Sequence, residues 1–85
     1  MKSFVYTIKD TLGLHARPAG LLSKTAKATG SRVSITKDGK NVSADRILSL
    51  MGLGIKCGDT IEVTVEGGDE EVSFAIMQAF FEENL

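Results

Sequence analysis

Apolar and polar residues alternate along residues 2–8, 32–37 and 60–66, which is the pattern of a strand with one buried face. Aromatic and β-branched residues are frequent in all three stretches, and both kinds favour an extended backbone. We therefore expect three strands whose alternate side chains enter a core. Those side chains are Phe4, Tyr6, Ile8, Val33, Ile35, Ile61, Val63 and Val65.

A fourth strand is predicted over residues 40–43, because Asp38 and Gly39 separate that run from the preceding strand. An Asp-Gly pair between two strand-like runs is typical of a two-residue hairpin, whose turn needs positive φ at both positions. Residues 32–43 are therefore expected to form a β-hairpin.

The periodicity changes to that of a helix at Ala16, and Gly30 is placed where it would end this helix. The predicted inner stripe consists of Ala19, Leu22 and Ala26, flanked by Leu21 and Ala28, with Ser23, Lys24 and Lys27 on the solvent side. This pattern indicates an amphipathic helix that packs on the sheet.

Two further helices are predicted, over residues 45–53 and after Asp69 to about Asn84. Asp69 is a suitable N-cap, because its carboxylate can accept a hydrogen bond from a free N–H group of the first turn. Glu70 and Glu71 follow at the positive end of the helix dipole. The predicted inner stripe of the last helix consists of Val72, Ile76, Ala79 and Phe80.

The element order is therefore β-α-β-β-α-β-α, and it indicates an α+β open sandwich with helices on one face of a four-stranded sheet. The pattern leaves the strand order open, since the first helix is long enough to cross the sheet. No linker, repeat or low-complexity tract divides residues 1–85, so a single domain is expected.

Composition narrows the class of protein. With 42% hydrophobic and 25% charged residues the chain has an ordinary globular composition, and its net charge of −1 includes no basic block that would favour nucleic acid. The longest apolar-rich run, residues 47–55, is too short to cross a bilayer, and no secretory signal follows Met1. Cys57 is the only cysteine, which fits a reducing cytosol, and we expect it to be half buried in a loop. A cytoplasmic protein without membrane insertion is therefore expected.

The residues that could take part in a chemical reaction are concentrated in the stretch Gly-Leu-His-Ala-Arg-Pro-Ala at positions 13–19. This stretch holds the only histidine, His15. Ala16 and Pro18 open the predicted helix, and proline is tolerated in a first turn. The first N–H groups of a helix lack carbonyl partners and carry partial positive charge, so they favour an anion such as phosphate. Arg17 adds a planar donor fork suited to phosphate oxygens. We hypothesise that His15 accepts a phosphoryl group and hands it on.

Other kinds of site have less support in the sequence. One histidine and one distant cysteine are too few ligands for a metal site, and no spacing marks an acid for a serine-type triad. Neither glycine-rich phosphate-binding motif occurs, so no nucleotide site and no cofactor are expected. The remaining alternative is an interaction domain in which His15 only caps the helix.

The string from Gly13 to Ala19 resembles, letter for letter, the active-site signature of HPr, the histidine-containing phosphocarrier family of the bacterial phosphoenolpyruvate-dependent sugar phosphotransferase system. The length, the element order, the Asp-Gly hairpin and the segment 53–55 also fall at the intervals of that family. The resemblance implies an open-faced β-sandwich, with a four-stranded antiparallel sheet covered on one face by three helices.

The resemblance also implies the chemistry. Phosphorylated enzyme I would phosphorylate His15 on Nδ1, and an enzyme IIA domain would receive the group. Arg17 would contact the phosphoryl oxygens, and the N–H groups of the helix start would complete the site. A protein of this kind is a stoichiometric phosphoryl carrier and not itself an enzyme.

Two positions depart from the pattern of the family. Many HPr proteins of low-GC Gram-positive bacteria have a regulatory serine, phosphorylated by an ATP-dependent kinase, at the position where this chain has Arg46. Ser43 and Ser49 lie nearby but are displaced, so no regulatory serine is expected. Leu12 occupies a position where the family often has a small polar residue that supports the active-site loop.

The second predicted helix is too apolar to bury all of its side chains, so some of Ile47, Leu48 and Met51 should face solvent. Simple core packing is the alternative, because scattered exposed apolar residues are common. By resemblance, the first two helices form the face that binds enzyme I and enzyme IIA. The residues expected at this docking surface are Lys24, Lys27, Ile47, Leu48 and Met51.

The sequence thus predicts a phosphocarrier in sugar uptake. The alternative is an HPr-like regulatory module that acts through other partners rather than in sugar transport. Which sugars or enzyme IIA partners are involved is not encoded in these residues, and nothing in them requires more than a monomer.

Overall fold

The computed structural model describes all 85 residues and contains the predicted elements in the predicted order. The strands are β1 (Lys2–Thr7), β2 (Arg32–Lys37), β3 (Lys40–Ser43) and β4 (Thr60–Glu66), and the helices are α1 (Ala16–Thr29), α2 (Ile47–Gly52) and α3 (Glu70–Asn84). Helix α2 begins two residues later than predicted, because Arg46 has an extended backbone and is its N-cap.

The four strands form one antiparallel sheet in the order β1-β4-β2-β3. The last strand, β4, therefore lies inside the sheet, between the first strand and the hairpin. The predicted hairpin turn is confirmed, since Asp38 and Gly39 have φ values of 50° and 80°. The sheet with three helices over one face confirms the predicted open-faced sandwich.

The core lies between the sheet and the helices and contains 17 buried apolar residues. The inward residues predicted for β2 and β4 are all buried, which confirms the alternation on the two central strands. Phe4 and Tyr6 on the edge strand are only partly buried. They pack on Phe81 of α3, with ring centroids 5.9 and 5.5 Å from it.

The inner face predicted for α3 is wrong except at Phe80. Val72, Ile76 and Ala79 are exposed. The buried residues of α3 are Ser73, Met77, Phe80 and Phe81. Apolar residues lie on more than one side of this helix, so its hydrophobic pattern does not determine which side packs inward. The predicted cap is confirmed, because the Asp69 carboxylate accepts a hydrogen bond from the Val72 N–H.

Two single-residue predictions are also corrected. Ser23 was expected on the solvent side of α1 but is buried, because it lies with Ala19, Leu22 and Ala26 at the spacing of one helix face. Cys57 is exposed rather than half buried. It lies in a surface turn between α2 and β4, with its sulfur 3.7 Å from the Lys9 carbonyl oxygen.

Candidate phosphoacceptor site

His15 is the N-cap residue of α1 and has an extended backbone, with φ of −89° and ψ of −175°. Its half-buried side chain makes no capping hydrogen bond. The first N–H group of the helix that finds a partner is that of Ala19, which donates to the His15 carbonyl at 3.0 Å. The N–H groups of Ala16 and Arg17 donate to no acceptor in the protein, and Pro18 has none to donate. Two free donors therefore lie beside the imidazole.

His15 and Arg17 line the same shallow depression, which has a volume of about 280 Å³. Its other lining residues are Asp10, Pro18, Leu21 and Asn84. Arg17 is exposed and forms no salt bridge, since the ion pairs of the protein involve other residues. His15 and Arg17, whose guanidinium has no carboxylate partner, thus share one solvent-accessible space at a helix start that has free N–H groups. This arrangement suits a tetrahedral oxyanion bound next to the imidazole.

Gly13 brings the loop before His15 into close contact with the segment after α2. Its φ of +66° is in the left-handed region, and a Cβ added there would lie 2.4 Å from the Ile55 carbonyl oxygen and 2.7 Å from the Lys56 Cα. The same carbonyl accepts a hydrogen bond from the Leu14 N–H at 3.1 Å. Only glycine fits this approach, and it sets the path of the backbone into His15.

Asp10 organises the beginning of this loop. Its carboxylate accepts from the Leu12 N–H at 2.9 Å, and its carbonyl accepts from the Gly13 N–H at 3.0 Å. The Asp10 N–H donates to the oxygen of Leu85 at 2.9 Å, so the end of α3 holds the loop as well. Leu12 itself is exposed and supports the loop through its backbone only. The polar support of this loop therefore comes from Asp10.

The contributions of Asp10, Asn84 and Leu85 were not predicted from the sequence. Asp10 carried a detectable signal, since an aspartate in a short loop commonly bonds to an N–H group two residues later. Asn84 and Leu85 carried none, because their position near His15 depends on where α3 ends in space.

The predicted docking residues lie on the surface of α1 and α2. Ile47, Leu48 and Met51 are 43%, 87% and 40% exposed, which confirms that α2 presents apolar side chains to solvent. Lys24 and Lys27 are exposed on α1. The exposed Leu21 lines the depression at His15, so α1 carries apolar surface up to the candidate site.

Arg46 is the N-cap of α2, and Ser43 and Ser49 lie on either side of it in the sequence. Arg46 is exposed, and its N–H donates to the Ser43 carbonyl. The Ser43 hydroxyl donates to the Asp45 carboxylate, and Ser49 is half buried on α2. No group of His, Cys, Asp and Glu side chains is arranged to hold a metal ion. None of the helices has the length and apolar character needed to cross a membrane.

A family model and the individual relatives of this chain agree on one protein family. Residues 2–83 match the PTS-HPr family model, described as "PTS HPr component phosphorylation site". Phosphocarrier protein HPr of Mycoplasma genitalium is 38% identical over 85 residues, covering 99% of this chain and 97% of the relative. HPr-like protein Crh of Halalkalibacterium halodurans is 43% identical over 75 residues, covering 88% and 89%.

The fold is similar to that of a solved structure, HPr-C-His from Thermoanaerobacter tengcongensis. The TM-score is 0.91 at 37% identity, with 98% of this chain and 93% of that chain covered. A further structure of HPr from the same organism, described as a dimer, matches with a TM-score of 0.75 over 98% and 95% of the two chains.

Proposed function

The chain belongs to the HPr family of the phosphotransferase system, and from that premise we propose that His15 accepts a phosphoryl group and passes it to a second protein. One observation carries the proposal: His15 and Arg17 line one open depression, and the N–H groups of Ala16 and Arg17 at the same helix start have no acceptor in the protein. A histidine that only capped the helix would bond to one of those N–H groups, and His15 does not.

In the proposed reaction the lone pair of an imidazole nitrogen attacks the phosphorus atom of the donor. A nitrogen–phosphorus bond forms, the bond between phosphorus and the donor breaks, and its electron pair stays with the donor. Phosphoryl transfer depends mainly on positioning and on stabilising the charge of the phosphoryl oxygens. Arg17 and the N–H groups of Ala16 and Arg17 supply that stabilisation, and His15 transfers the group onward by the reverse step.

The donor in this proposal is phosphorylated enzyme I, and the recipients are enzyme IIA domains in sugar uptake. The exposed apolar side chains of α2 form the docking surface, with Lys24 and Lys27 at its border. Relay partners must associate and separate quickly, which favours a small interface with electrostatic steering. The 38% identity to a phosphocarrier over nearly the full lengths of both chains supports this assignment.

The protein acts in this scheme as a consumed and regenerated carrier, not as an enzyme. We propose that residues 1–85 form one unit of the family, since the match extends over residues 2–83. We further propose that it works in the cytoplasm, where phosphoenolpyruvate is available, and as a monomer, in which α1 and α2 stay free for partners.

A regulatory role without sugar transport is the second candidate, favoured by the 43% identity to a Crh protein. In this chain the position of the regulatory serine is Arg46, which cannot accept a phosphoryl group from a serine kinase. We therefore expect no phosphorylation by an HPr-type serine kinase with ATP. Phosphopeptide mapping that found phosphate on Ser43 or Ser49 would contradict this expectation.

The central experiment is to incubate the protein with enzyme I and phosphoenolpyruvate and to measure its intact mass. We expect an acid-labile increase of one phosphoryl group, and no increase for His15→Ala. Thermal unfolding of the variant provides the control for folding. An unmodified wild-type protein, or a His15→Ala variant that is modified equally, would refute the carrier function.

The partners are tested by adding the phosphorylated protein to a panel of purified enzyme IIA domains. Transfer of the phosphoryl group to at least one of them supports the role in sugar uptake. Efficient loading of His15 without transfer to any of the domains would favour the regulatory alternative. Size-exclusion chromatography of the same samples measures whether the carrier is a monomer.

A further inference from the structure

The segment that follows α2, residues 53–59, is held by a single lysine from the end of β2. The Lys37 ammonium donates to the carbonyls of Leu53 and Gly54 at 3.4 and 2.8 Å, and it forms a salt bridge of 2.9 Å with the Asp59 carboxylate. The same carboxylate accepts from the Lys56 N–H at 2.8 Å. One ammonium and one carboxylate therefore fix both ends of the 53–59 segment and a point between them.

This ion pair differs from the other side-chain pair of the protein. The Lys37 and Asp59 side chains are 16% and 31% exposed, whereas Arg32 and Glu66 are 79% and 52% exposed and 3.6 Å apart. A fully exposed pair contributes little, because water and salt screen it. Lys37 and Asp59 also satisfy backbone groups that would otherwise lack partners in a tight turn.

The 53–59 segment in turn holds the backbone that leads into His15. The Ile55 carbonyl accepts from the Leu14 N–H, and Gly13 is packed so closely on that carbonyl that no side chain fits. His15 follows Leu14 directly, and its N–H donates to the Gly13 carbonyl at 3.1 Å. Displacement of Ile55 would therefore move the residues on which the direction of the imidazole depends.

A second connection runs through Ile8, the residue that follows β1. The Asp59 carbonyl accepts from the Ile8 N–H at 2.9 Å, and the Gly58 N–H donates to the Ile8 carbonyl at 2.8 Å. These bonds fix the segment to the start of the loop that ends at His15. The 53–59 segment thus contacts the loop that leads to His15 near the beginning of that loop and again near its end.

We propose that Lys37 and Asp59 are positioning residues for the phosphoacceptor: their ion pair fixes the 53–59 segment, and that segment sets the orientation of His15. The expected effect on the phosphorylation rate rests on the proposed function. The expected effect on the structure of the loop rests on the hydrogen bond between Leu14 and Ile55. Neither residue touches the depression at His15, so neither is a catalytic residue.

The test compares Lys37→Met and Asp59→Asn with variants of neighbouring residues that make no such contacts. Lys40→Met removes an exposed lysine from the adjacent strand, and Asp38→Asn removes an exposed carboxylate at a turn position that asparagine tolerates. Lys37→Arg keeps the charge and donor groups and serves as the rescue. Thermal unfolding identifies a temperature at which all variants are folded.

The kinetic readout is phosphorylation of each variant by enzyme I, with the carrier as the varied substrate. We expect Lys37→Met to lower kcat by about tenfold with little change in KM, since misplacement of a reacting group affects the chemical step more than docking. Asp59→Asn should have a smaller effect, because the amide oxygen can still accept from Lys56. Lys37→Arg should restore most of the rate, and both control variants should match the wild type.

The structural readout is amide hydrogen exchange and NMR of the unphosphorylated protein. In Lys37→Met the Leu14 N–H should exchange about tenfold faster than in the wild type, while the Val63 N–H within the sheet should be unchanged. The His15 ring resonances should shift in the same variant. If Lys37→Met does not fold, Asp59→Asn is judged by the same two measurements.

Wild-type kcat together with unchanged Leu14 exchange in both variants would overturn the inference. So would a rise in KM with constant kcat, which would indicate docking, or an equal loss in Lys40→Met. If the wild-type protein is not phosphorylated at all, the proposed function fails separately. Leu14 exchange and the His15 resonances then decide the positioning role, supporting it if they change and refuting it if they do not.

Discussion

At the amino end of α1 the N–H groups of Ala16 and Arg17 have no acceptor in the protein, whereas at the carboxyl end the carbonyls of Ala26, Lys27 and Thr29 all accept hydrogen bonds. There the Gly30 N–H donates to the Lys27 carbonyl, and the Thr29 hydroxyl donates to the Ala26 carbonyl at 2.7 Å. One helix thus has an open end and a closed end, and the two ends differ in composition.

The closed end is completed by Ser31, which follows the C-cap Gly30 directly, and by Ser73 of α3. The Ser31 hydroxyl bonds to the Gly67 carbonyl at 2.7 Å and to the Ser73 hydroxyl at 2.6 Å. Ser73 is buried, so its hydroxyl must find a partner within the protein. Helix ends need such partners, and short polar side chains supply them at little cost. Donors left free at an accessible end therefore mark a place that remains able to bind an anion.

The largest expected difference between the two ends follows from adding one methyl group, at Gly13 before the open end or at Gly30 at the closed end. Gly13 and Gly30 have similar positive φ values, 66° and 76°, but an added Cβ meets the Ile55 carbonyl at 2.4 Å only at Gly13 and meets nothing within 4 Å at Gly30. Gly30→Ala should cost about 1 kcal/mol of unfolding free energy from backbone strain alone. Gly13→Ala should cost about 2–4 kcal/mol, because overpacking adds to the strain.

The same two variants also distinguish an effect on stability from an effect on phosphorylation of His15. Gly13→Ala should lower phosphorylation of His15 by about 100-fold, since the displaced loop moves the imidazole, and Gly30→Ala should leave it unchanged. Chemical denaturation and the enzyme I assay measure the two effects. Equal rates for the two variants would mean that contact with Ile55 does not position the site.

A smaller effect is expected from the two arginines near the ends of α1. Arg17→Ala removes charge stabilisation next to His15 and little packing, so kcat/KM for phosphorylation should fall about 10- to 100-fold while the unfolding free energy stays within about 0.5 kcal/mol. Arg32→Ala removes a similarly exposed guanidinium at the closed end and should leave the rate unchanged. Identical rates for both variants would show that the phosphoryl oxygens do not lie beside Arg17.

At the closed end we expect the opposite result, a loss of stability without a loss of phosphorylation rate. Ser73→Ala removes the hydroxyl contact with Ser31, whose own hydroxyl keeps its bond to the Gly67 carbonyl, and should lower the unfolding free energy by about 1 kcal/mol, with no change in phosphorylation rate. Ser3→Ala on the exposed face of β1 is the control and should change stability by less than about 0.5 kcal/mol. A loss of phosphorylation in folded Ser73→Ala would mean that the two ends of α1 are coupled.

Sequence reasoning succeeded where local pattern determines structure. The alternation in β2 and β4 identified their buried residues, and the Asp38-Gly39 turn fixed the hairpin, because each depends on neighbours along the chain. It failed at α3, where apolar residues occur on several sides and the hydroxyl contact of Ser73 with Ser31 helps to define the inner face. The strand order was likewise open, since it depends on pairing between distant segments.

The candidate site likewise has one part that the sequence predicts and another part that it does not. His15 and Arg17 are two residues apart at a helix start, so the sequence alone placed them together. The Leu85 oxygen that holds Asp10 and the Ile55 carbonyl that holds Leu14 come from distant parts of the chain. Nothing in the local sequence marks them, because a backbone carbonyl has no side chain to identify it. The supporting structure of the site was therefore visible only in three dimensions.

The smallest expected effect concerns acid pH at the open end. The hydrogen bond from Lys37, and then that from the Lys56 N–H, lower the pKa of Asp59 below its ordinary value of 3.8. The folded protein thus favours the carboxylate, so this contribution to stability is present above pH 3.8 and is lost as the pH falls through the lowered folded value. The stability difference between the wild type and Asp59→Asn should therefore shrink on acidification. In an NMR titration the amides of Gly13 and Leu14 should follow Asp59, and those of Gly30 and Ser31 should not. If the closed-end amides shifted with the same midpoint, the acid response would belong to the whole fold and not to the end of α1 that carries His15.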